Sequence, residues 1–164
     1  MEFKLGPHDS LAQTSTDWNF DVDSGAEILE LAMIDFMTKN KGIGLAANQI
    51  GLTKRVFVMG SKNIEGFPLP FAVFNPKILE VSQELAVDRE GCLSYPDLWL
   101  TVKRPETIVA EYQTSKGDTV TAEMSGLIAR CFQHELDHLN GICFVDRVSA
   151  LKLQLAMKKL RKHK

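Results

Sequence analysis

The first regular element that the hydrophobic pattern predicts is an amphipathic helix. Ser24 and Glu27 fit a capping box, in which each side chain satisfies a free backbone amide of the first turn. We expect this helix to end near Asn40, followed by Gly42 in the left-handed conformation. The apolar residues that recur at helical spacing are Ile28, Leu31, Ala32 and Phe36.

Between residues 55 and 124 the pattern changes to short apolar or alternating runs, which are typical of β-strands. Glycines and prolines separate these runs, and Lys116-Gly117-Asp118 is a typical turn sequence. A helix, a long series of strands and further helices indicate the α+β class. The predicted strands cover 55–59, 71–74, 77–82, 84–88, 98–102, 107–112 and 119–124.

Two more helices are predicted after the strands. Ser125 is a suitable N-cap for a helix that ends at Gly141, which can adopt the left-handed conformation. Ser149 can begin a final helix over about 150–160, with Leu151, Leu155 and Leu153 on its buried side. The chain then ends in a basic run, whose cations suit a helix C-terminus through its dipole.

Length and composition are those of one globular domain. The chain has 164 residues, of which 45% are hydrophobic and 24% charged, so it can bury a full core. Its net charge of -2 predicts no general affinity for nucleic acid. Three cysteines, an odd number, argue against a disulfide framework, and no segment resembles a signal peptide or a membrane span. We expect a single, monomeric domain over 1–164 in a cytoplasm.

The strongest chemical signal is the sequence His-Glu-Leu-Asp-His at 134–138. On a helix, His134 and His138 project from one face within reach of one metal ion, with Glu135 beside them. Metal-dependent hydrolysis also requires a third ligand, an open position for water and a carboxylate that takes the proton of that water. A buried helix with merely hydrogen-bonded histidines remains an alternative on this pattern alone.

Two other segments contain candidate partners. Cys92 lies in a Gly-Cys-Leu-Ser-Tyr-Pro bend where a thiolate can point toward a metal, although a lone cysteine is more often a small buried hydrophobe. Segment 42–49 combines small residues with Gln49, whose amide can donate to developing negative charge. A tight turn packed under a helix explains that segment as well. Cys131 can be a fourth ligand, but a catalytic metal keeps one position open, which favours a pocket wall.

Together, three segments resemble the motifs of the peptide deformylases. The family carries Gly-x-Gly-x-Ala-Ala-x-Gln, Glu-Gly-Cys-Leu-Ser and His-Glu-x-Asp-His in this order, and they stand here at 42–49, 90–94 and 134–138. The resemblance implies an α+β fold with antiparallel and mixed sheets around a central motif-bearing helix, flanked by an N-terminal and a C-terminal helix. It also implies a metal-dependent hydrolase that removes the N-formyl group from the formylmethionine of new polypeptides and releases formate.

The resemblance also implies a role for each matching residue. Glu135 takes the proton of the attacking water and passes it to the departing amine. The Gln49 side chain and the Leu93 backbone amide hold the oxyanion. The metal is one divalent ion per chain, ferrous iron in the cell, which zinc, nickel or cobalt can replace. Its ligands are Cys92, His134 and His138.

The substrate is expected to bind beside these groups. By the resemblance, the peptide pairs like a strand with backbone near Ile43, Gly44 and Gly91. The methionine side chain enters an apolar pocket, which Ile43 and part of the motif helix can line. The helix residues expected there lie within about two turns before the metal site, where core packing is the alternative. They are Leu127, Ile128 and Cys131.

Two other functions stay open at this point. A zinc peptidase shares the His-Glu-x-x-His pattern, but Cys92 and the segment that contains Gln49 argue against it. A catalytically silent binder of formylated peptide ends would be expected to lack a ligand, the base or the oxyanion donor. As partners we expect formylated nascent peptides and a weak ribosome contact through the basic end, 158–164, with no membrane and no specific nucleic acid. A bacterial cell, an organelle and a phage-infected host are all compatible sources.

Overall fold

The larger of two sheets provides the scaffold of the fold. The computed structural model describes residues 1–162. Within them, the strands are β1 (Gly44–Ala46), β2 (Val56–Met59), β3 (Phe71–Val81), β6 (Thr107–Gln113) and β7 (Thr119–Ser125). These five strands lie in the order β1-β2-β3-β6-β7 and pair antiparallel. The predicted runs 71–74 and 77–82 form one strand, because a register shift between Phe74 and Lys77 accommodates Pro76.

A separate hairpin contains β4 (Leu85–Cys92) and β5 (Tyr95–Pro105). Strand β5 extends beyond its predicted bounds at both ends, β4 continues past its predicted end at Asp88, and Gly91 lies opposite Trp99. Alternate residues of β5 face inward, so Leu98 and Leu100 are buried. The named ladders of the described chain are antiparallel, and mixed character is confined to an isolated parallel bridge between Thr16 and Lys54.

A central helix crosses the space between these sheets. The helices are α1 (Asp9–Ala12), α2 (Ala26–Lys39), α3 (Gly126–Leu139) and α4 (Ala150–Lys162). In α3, each residue from Ala129 to Leu139 is buried, and Phe132 packs edge-on against Phe57 of β2 at 5.1 Å between ring centroids. The α+β fold with a central motif-bearing helix is therefore confirmed. None of the helices in residues 1–162 has the length and apolar character needed to cross a membrane.

The ends of α3 agree with the prediction. Ser125 is the N-cap in an extended conformation, although its side chain makes no capping hydrogen bond. Gly141 follows the helix with φ 73°, and a Cβ there would lie 2.6 Å from the Ala12 carbonyl oxygen. Glycine is therefore required at this position both by backbone conformation and by the close approach of α1.

The start and end of α2 differ from the prediction. Gly25 is the N-cap in the left-handed conformation, without a side-chain hydrogen bond, so the expected capping box from Ser24 is wrong. At the other end, the left-handed residue is Lys41, with φ 57°, rather than Gly42. The buried face is formed by Met33 and Met37, because the sheet contacts this side of an apolar stripe that is wider than one face.

The buried face of α4 was also predicted incorrectly in part. Leu151 and Leu155 are 66% and 60% exposed. Ser149 does cap the helix, since its Oγ accepts a hydrogen bond of 3.3 Å from the Lys152 amide. Leu153 does pack against the hairpin core as predicted, and the residues that join it there are Ala156, Met157 and Leu160.

Candidate metal centre

The fold brings together the three predicted metal ligands from two distant segments. Cys92 ends β4, while His134 and His138 project from one face of α3. The possible ligand atoms of these side chains all lie within 4.8 Å of one another, and Cys92 Sγ is 3.2 Å from His138 Nε2. A register shift between Gly91 and Cys92 turns the thiol out of the ladder toward α3.

A buried carboxylate orients the first histidine. Glu90 Oε2 lies 2.9 Å from His134 Nδ1, so a proton on Nδ1 leaves Nε2 available as a metal ligand. Arg104 donates two hydrogen bonds to Glu90, of 2.6 and 3.0 Å, and Arg130 donates a third of 2.7 Å. Burial alone raises the pKa of Glu90, but the hydrogen bonds from His134 and Arg104 outweigh it and hold that pKa far below its ordinary value.

A second carboxylate extends this network behind the helix. Asp137 accepts a hydrogen bond of 2.8 Å from Arg104, and Arg147 also pairs with it through both carboxylate oxygens. Sequence reasoning missed the roles of Glu90, Arg104 and Asp137. A signal was present, because the alternation that buries Val102 also places Arg104 on the inner face of β5.

The surroundings of the two histidines shift their pKa values in opposite directions. Burial lowers the pKa of His138 well below its ordinary value, which keeps this imidazole neutral, as a ligand must be. Burial opposes charge at His134 too, but its hydrogen bonds with Cys92 and Glu90 outweigh this effect and raise that pKa. The cluster of Cys92, His134 and His138 therefore stabilises one positive charge at its centre. Its donor set, a thiol with two imidazoles, fits a divalent transition metal.

Glu135 lies against this cluster and is almost completely buried. Its Oε2 has no hydrogen-bond partner within residues 1–162, which is unusual for a buried carboxylate and fits a site where water or substrate binds. Burial raises the pKa of Glu135 to about 7. Gly44 borders the same carboxylate, and a Cβ at this position would overlap Glu135 Oε1. The absence of a side chain at Gly44 therefore makes room for Glu135.

Gln49 also reaches the cluster. Its Oε1 accepts a hydrogen bond of 2.8 Å from the Ala46 amide. Its Nε2 donates to Ser94 Oγ at 3.1 Å and lies 3.4 Å from Cys92 Sγ. The structure therefore brings the Gln49 amide to the cluster of Cys92, His134 and His138. Gln49 lies in a short 3₁₀ turn over Ala47–Ile50, so this segment is not only a tight turn packed under a helix. Leu93, which follows Cys92, packs with the core next to α2.

The predicted pocket residues do not all lie in one environment. Cys131 is 5% exposed, and its Sγ donates to the Ile43 carbonyl at 3.4 Å. Burial raises its pKa well above the ordinary value, so it remains a thiol, which fits a wall better than a fourth ligand. Ile128 packs on the core, whereas Leu127 is 42% exposed. On the hairpin, Gly91 lies under the ring of Trp99.

The N-terminal segment also contacts the centre, although sequence analysis found no role for it. The Lys4 amide donates to the Gln49 carbonyl at 2.7 Å, and the Gly6 amide donates to the Ser94 carbonyl at 2.8 Å. Asn48 links the same region to α3 by donating to the His138 carbonyl at 2.5 Å. The N-terminal residues thus tie the two non-helical motif segments to each other.

Comparisons with known proteins identify the family. The model of the polypeptide deformylase family matches residues 2–154. Peptide deformylase 2 of Gloeobacter violaceus is 47% identical over 137 residues, which cover 80% of this chain and 73% of that protein. The chain belongs to the peptide deformylase family. The peptide deformylase of Agrobacterium fabrum is 42% identical over 139 residues, which cover 84% of this chain and 82% of that protein.

Solved structures of peptide deformylases have the same fold. The enzyme from Synechococcus elongatus in complex with actinonin superposes with a TM-score of 0.89 at 36% identity, covering 98% of this chain and 87% of that one. The enzyme from Thermotoga maritima gives a TM-score of 0.83 at 37% identity, covering 90% and 97%. The resemblance inferred from the three motifs is confirmed. The activity is that of a metal-dependent hydrolase that removes the N-formyl group from new polypeptides, rather than that of a zinc peptidase or a silent binder.

Proposed function

We propose the following roles for the residues of this centre in the deformylation reaction. The side chains of Cys92, His134 and His138 hold one divalent metal, Glu135 moves the proton, and Gln49 with the Leu93 backbone amide stabilises the oxyanion. The single observation that carries this assignment is the convergence of three potential ligand atoms within 4.8 Å beside a buried carboxylate with an unpartnered oxygen.

The metal is ferrous iron in our proposal, with zinc, nickel or cobalt able to replace it. One thiolate and two imidazoles accept each of these ions, and availability in the cell rather than affinity selects among them. When bound, the ion supplies Lewis acidity, which lowers the pKa of water toward about 7 and polarises the formyl carbonyl. Glu90 supports the site by holding His134 in one orientation through the 2.9 Å contact.

Glu135 performs the proton transfers. It takes a proton from the attacking water and delivers the proton to the amine that leaves as the formyl C–N bond breaks. A pKa of about 7 in the metal-free chain is close to the value at which a carboxyl group both accepts and donates protons efficiently near neutral pH. The small residue Gly44 leaves the space in which this carboxyl group can act.

Replacement of Gln49 by Ala is expected to impair turnover more than folding. Loss of an oxyanion donor lowers kcat by about 10²- to 10³-fold, whereas losing the side chain's hydrogen bonds costs about 1–3 kcal/mol of stability. Formate release and urea unfolding measured on one preparation compare the two effects. Ser94→Ala is the matched control, since it removes a partner of Gln49 but keeps the amide. If the loss of kcat, converted to a free energy, equalled the loss of folding stability, the oxyanion role of Gln49 would be rejected.

The substrate backbone pairs with the chain near Ile43, Gly44 and Gly91. Strand β1 forms an edge of the large sheet, and β4 ends at the ligand cysteine, so a peptide can add to either edge beside the metal cluster. The methionine side chain enters a pocket walled by Cys131 and bordered by Leu127 and Ile128. The half-exposed Leu127 would lie at the mouth of this pocket.

We further propose that the protein acts as a monomer in a cytoplasm and contacts the ribosome weakly through its basic end. Helix α4 carries Lys158, Lys159, Arg161 and Lys162 in its last turns; the other predicted basic positions, His163 and Lys164, lie outside the described residues. Exposed cations of this kind bind the phosphates of RNA through salt-sensitive contacts. A nascent-chain substrate is found where ribosomal RNA is abundant.

Reversing three charges, Lys158→Glu, Lys159→Glu and Lys162→Glu, is expected to weaken ribosome co-sedimentation about tenfold at low salt. Leu160 keeps its packing on the hairpin in this variant, so the helix should remain folded. The control reverses three exposed lysines elsewhere, Lys77, Lys103 and Lys116. Equal co-sedimentation of both variants and the parent would exclude the ribosome contact.

The assay that tests the proposed function measures formate release from formyl-Met-Ala-Ser by anaerobically prepared, iron-loaded protein. Release is the expected result, and it should disappear when the metal is removed and return when iron is restored. Parallel mass spectrometry of the peptide tests for cleavage of internal amide bonds. Failure of a correctly metallated protein to release formate would refute the assignment.

A further inference from the structure

The N-terminal segment links the two motif segments that carry the proposed oxyanion donors. The Lys4 amide donates to the Gln49 carbonyl at 2.7 Å, and the Gly6 amide donates at 2.8 Å to the carbonyl of Ser94, the residue after Leu93. Because these two amides are two residues apart, at most about 7 Å of chain separates them. This short link therefore limits the distance between one oxyanion donor and the segment that carries the other.

Contacts on either side of the link anchor it to the core. The Phe3 ring lies 4.7 Å from the ring of Phe36 on α2, measured between centroids. The buried Ser10 donates through Oγ to the Asn48 carbonyl at 3.0 Å, and the Asn48 side-chain amide donates to the Ser10 carbonyl at 3.3 Å. We call residues 3–10 the N-terminal strap. Its two ends are therefore held independently of the bonds from its middle.

The middle of the strap packs closely on both motif segments. A Cβ at Gly6 would lie 2.1 Å from Cζ of Tyr95, so the absence of a side chain lets the backbone approach Ser94. On the other segment, a Cβ at Gly51 would lie 3.0 Å from Cε of Lys4. This packing leaves little space for the strap to shift relative to either segment.

The Gln49 side chain is oriented from within the motif segments, whereas its main chain is held from outside them. Its Oε1 accepts from the Ala46 amide, and its Nε2 donates to Ser94 Oγ. The Lys4 amide binds the Gln49 carbonyl instead. A donor to an oxyanion must be held within about 0.5 Å of its productive position, and a misplacement of about 1 Å can cost about 10²-fold in rate. The strap bond therefore acts on a position to which turnover is sensitive.

We propose that the N-terminal strap positions Gln49 for catalysis, with the Lys4 main-chain amide as the positioning group. The Gly6 amide keeps the strap in register with the segment that contains Leu93. The proposal rests on the proposed oxyanion role of Gln49 and extends it to residues that do not touch the substrate. Neither strap amide donates to a metal ligand, so loss of the Lys4 bond should leave metal binding unchanged.

The test removes the Lys4 amide with Lys4→Pro. We expect kcat for formate release from formyl-Met-Ala-Ser to fall about tenfold, less than in Gln49→Ala, while KM and metal content stay those of the parent. The conservative variant Lys4→Ala keeps the amide and should stay within about twofold of the parent. Leu5→Pro is the matched control and should also resemble the parent. Leu5 is 53% exposed, and no backbone hydrogen bond from its amide occurs within residues 1–162.

A double-mutant cycle distinguishes positioning of Gln49 from a general loosening of the fold. If the strap acts through Gln49, Lys4→Pro should lower kcat by less than about twofold in the Gln49→Ala background. The same loss of kcat in both backgrounds would overturn the proposal, and so would an equal kcat for Lys4→Pro and Leu5→Pro. A Gln49→Ala variant with the kcat of the parent would instead overturn the oxyanion role on which the proposal rests.

Discussion

Replacement of Glu135 by Gln is expected to lower kcat for formate release about 10³-fold while the metal content stays that of the parent. A positioned general base contributes about 10²- to 10⁴-fold to a rate, and a glutamine amide has nearly the same shape but cannot accept the proton. Cys92 and both histidines are unchanged in the variant. The measurements are anaerobic formate release and metal analysis of the same preparation.

The same substitution is expected to stabilise the metal-free protein at high pH. An unfolded glutamate ionises near 4.5, whereas burial raises the folded pKa of Glu135 to about 7. The folded state thus binds this proton more tightly, and stability is lost as the pH rises through that interval. Metal-free Glu135→Gln should exceed the metal-free parent in stability at pH 8, by at most about 3 kcal/mol, and resemble it at pH 4.

Two results would contradict the assignment of Glu135. A kcat like that of the parent would show that another group accepts the proton. A loss of kcat that follows metal loss in proportion would show that Glu135 holds the site rather than moving the proton. The exposed Glu123→Gln on β7 is the control for a change of one charge, and it should alter neither kcat nor metal content.

Glu90→Gln is expected to have the largest effect on stability and on metal affinity. The carboxylate is 5% exposed and receives hydrogen bonds from Arg104 and Arg130, whose charges would lose their closest anion. Breaking a buried ion pair on one side costs about 3–5 kcal/mol. Loss of the carboxylate that orients His134 should weaken metal binding about 10- to 100-fold.

Urea unfolding of the metal-free proteins and competition with a chelator measure the two effects of Glu90→Gln separately. Because the folded pKa of Glu90 is depressed, its contribution to stability is present above the unfolded value of 4.5 and declines as the pH falls below it. The difference between parent and variant should therefore shrink in acid. Glu111→Gln, which breaks the exposed pair with Lys77, is the control and should cost less than about 1 kcal/mol. An equally small cost for Glu90→Gln would show that the hydrogen bonds of Glu90 with Arg104, Arg130 and His134 do not stabilise the fold.

Much of the fold was predictable from local patterns, and the errors about which helix face is buried had one physical origin. Period-2 alternation located the strands, and the left-handed Gly141 marked the end of α3. On α4, Leu151 and Leu153 are equally apolar in the sequence, but only Leu153 packs on the hairpin. An apolar stripe wider than one face cannot reveal which side is buried, because that choice depends on the surface of another element.

The sequence by itself determined the family, the order of the strands and helices along the chain, and the possible ligands on α3, because spacing of four residues on a helix is a local property. Only the tertiary structure decided that Glu90 meets His134 across 44 positions, that Gly44 makes room for Glu135, and that the N-terminal strap meets the segment of Gln49. These contacts depend on how β1, the hairpin and α3 pack together. Each joins segments whose separation in the sequence carries no local signal, so their partners become visible only once the chain is folded.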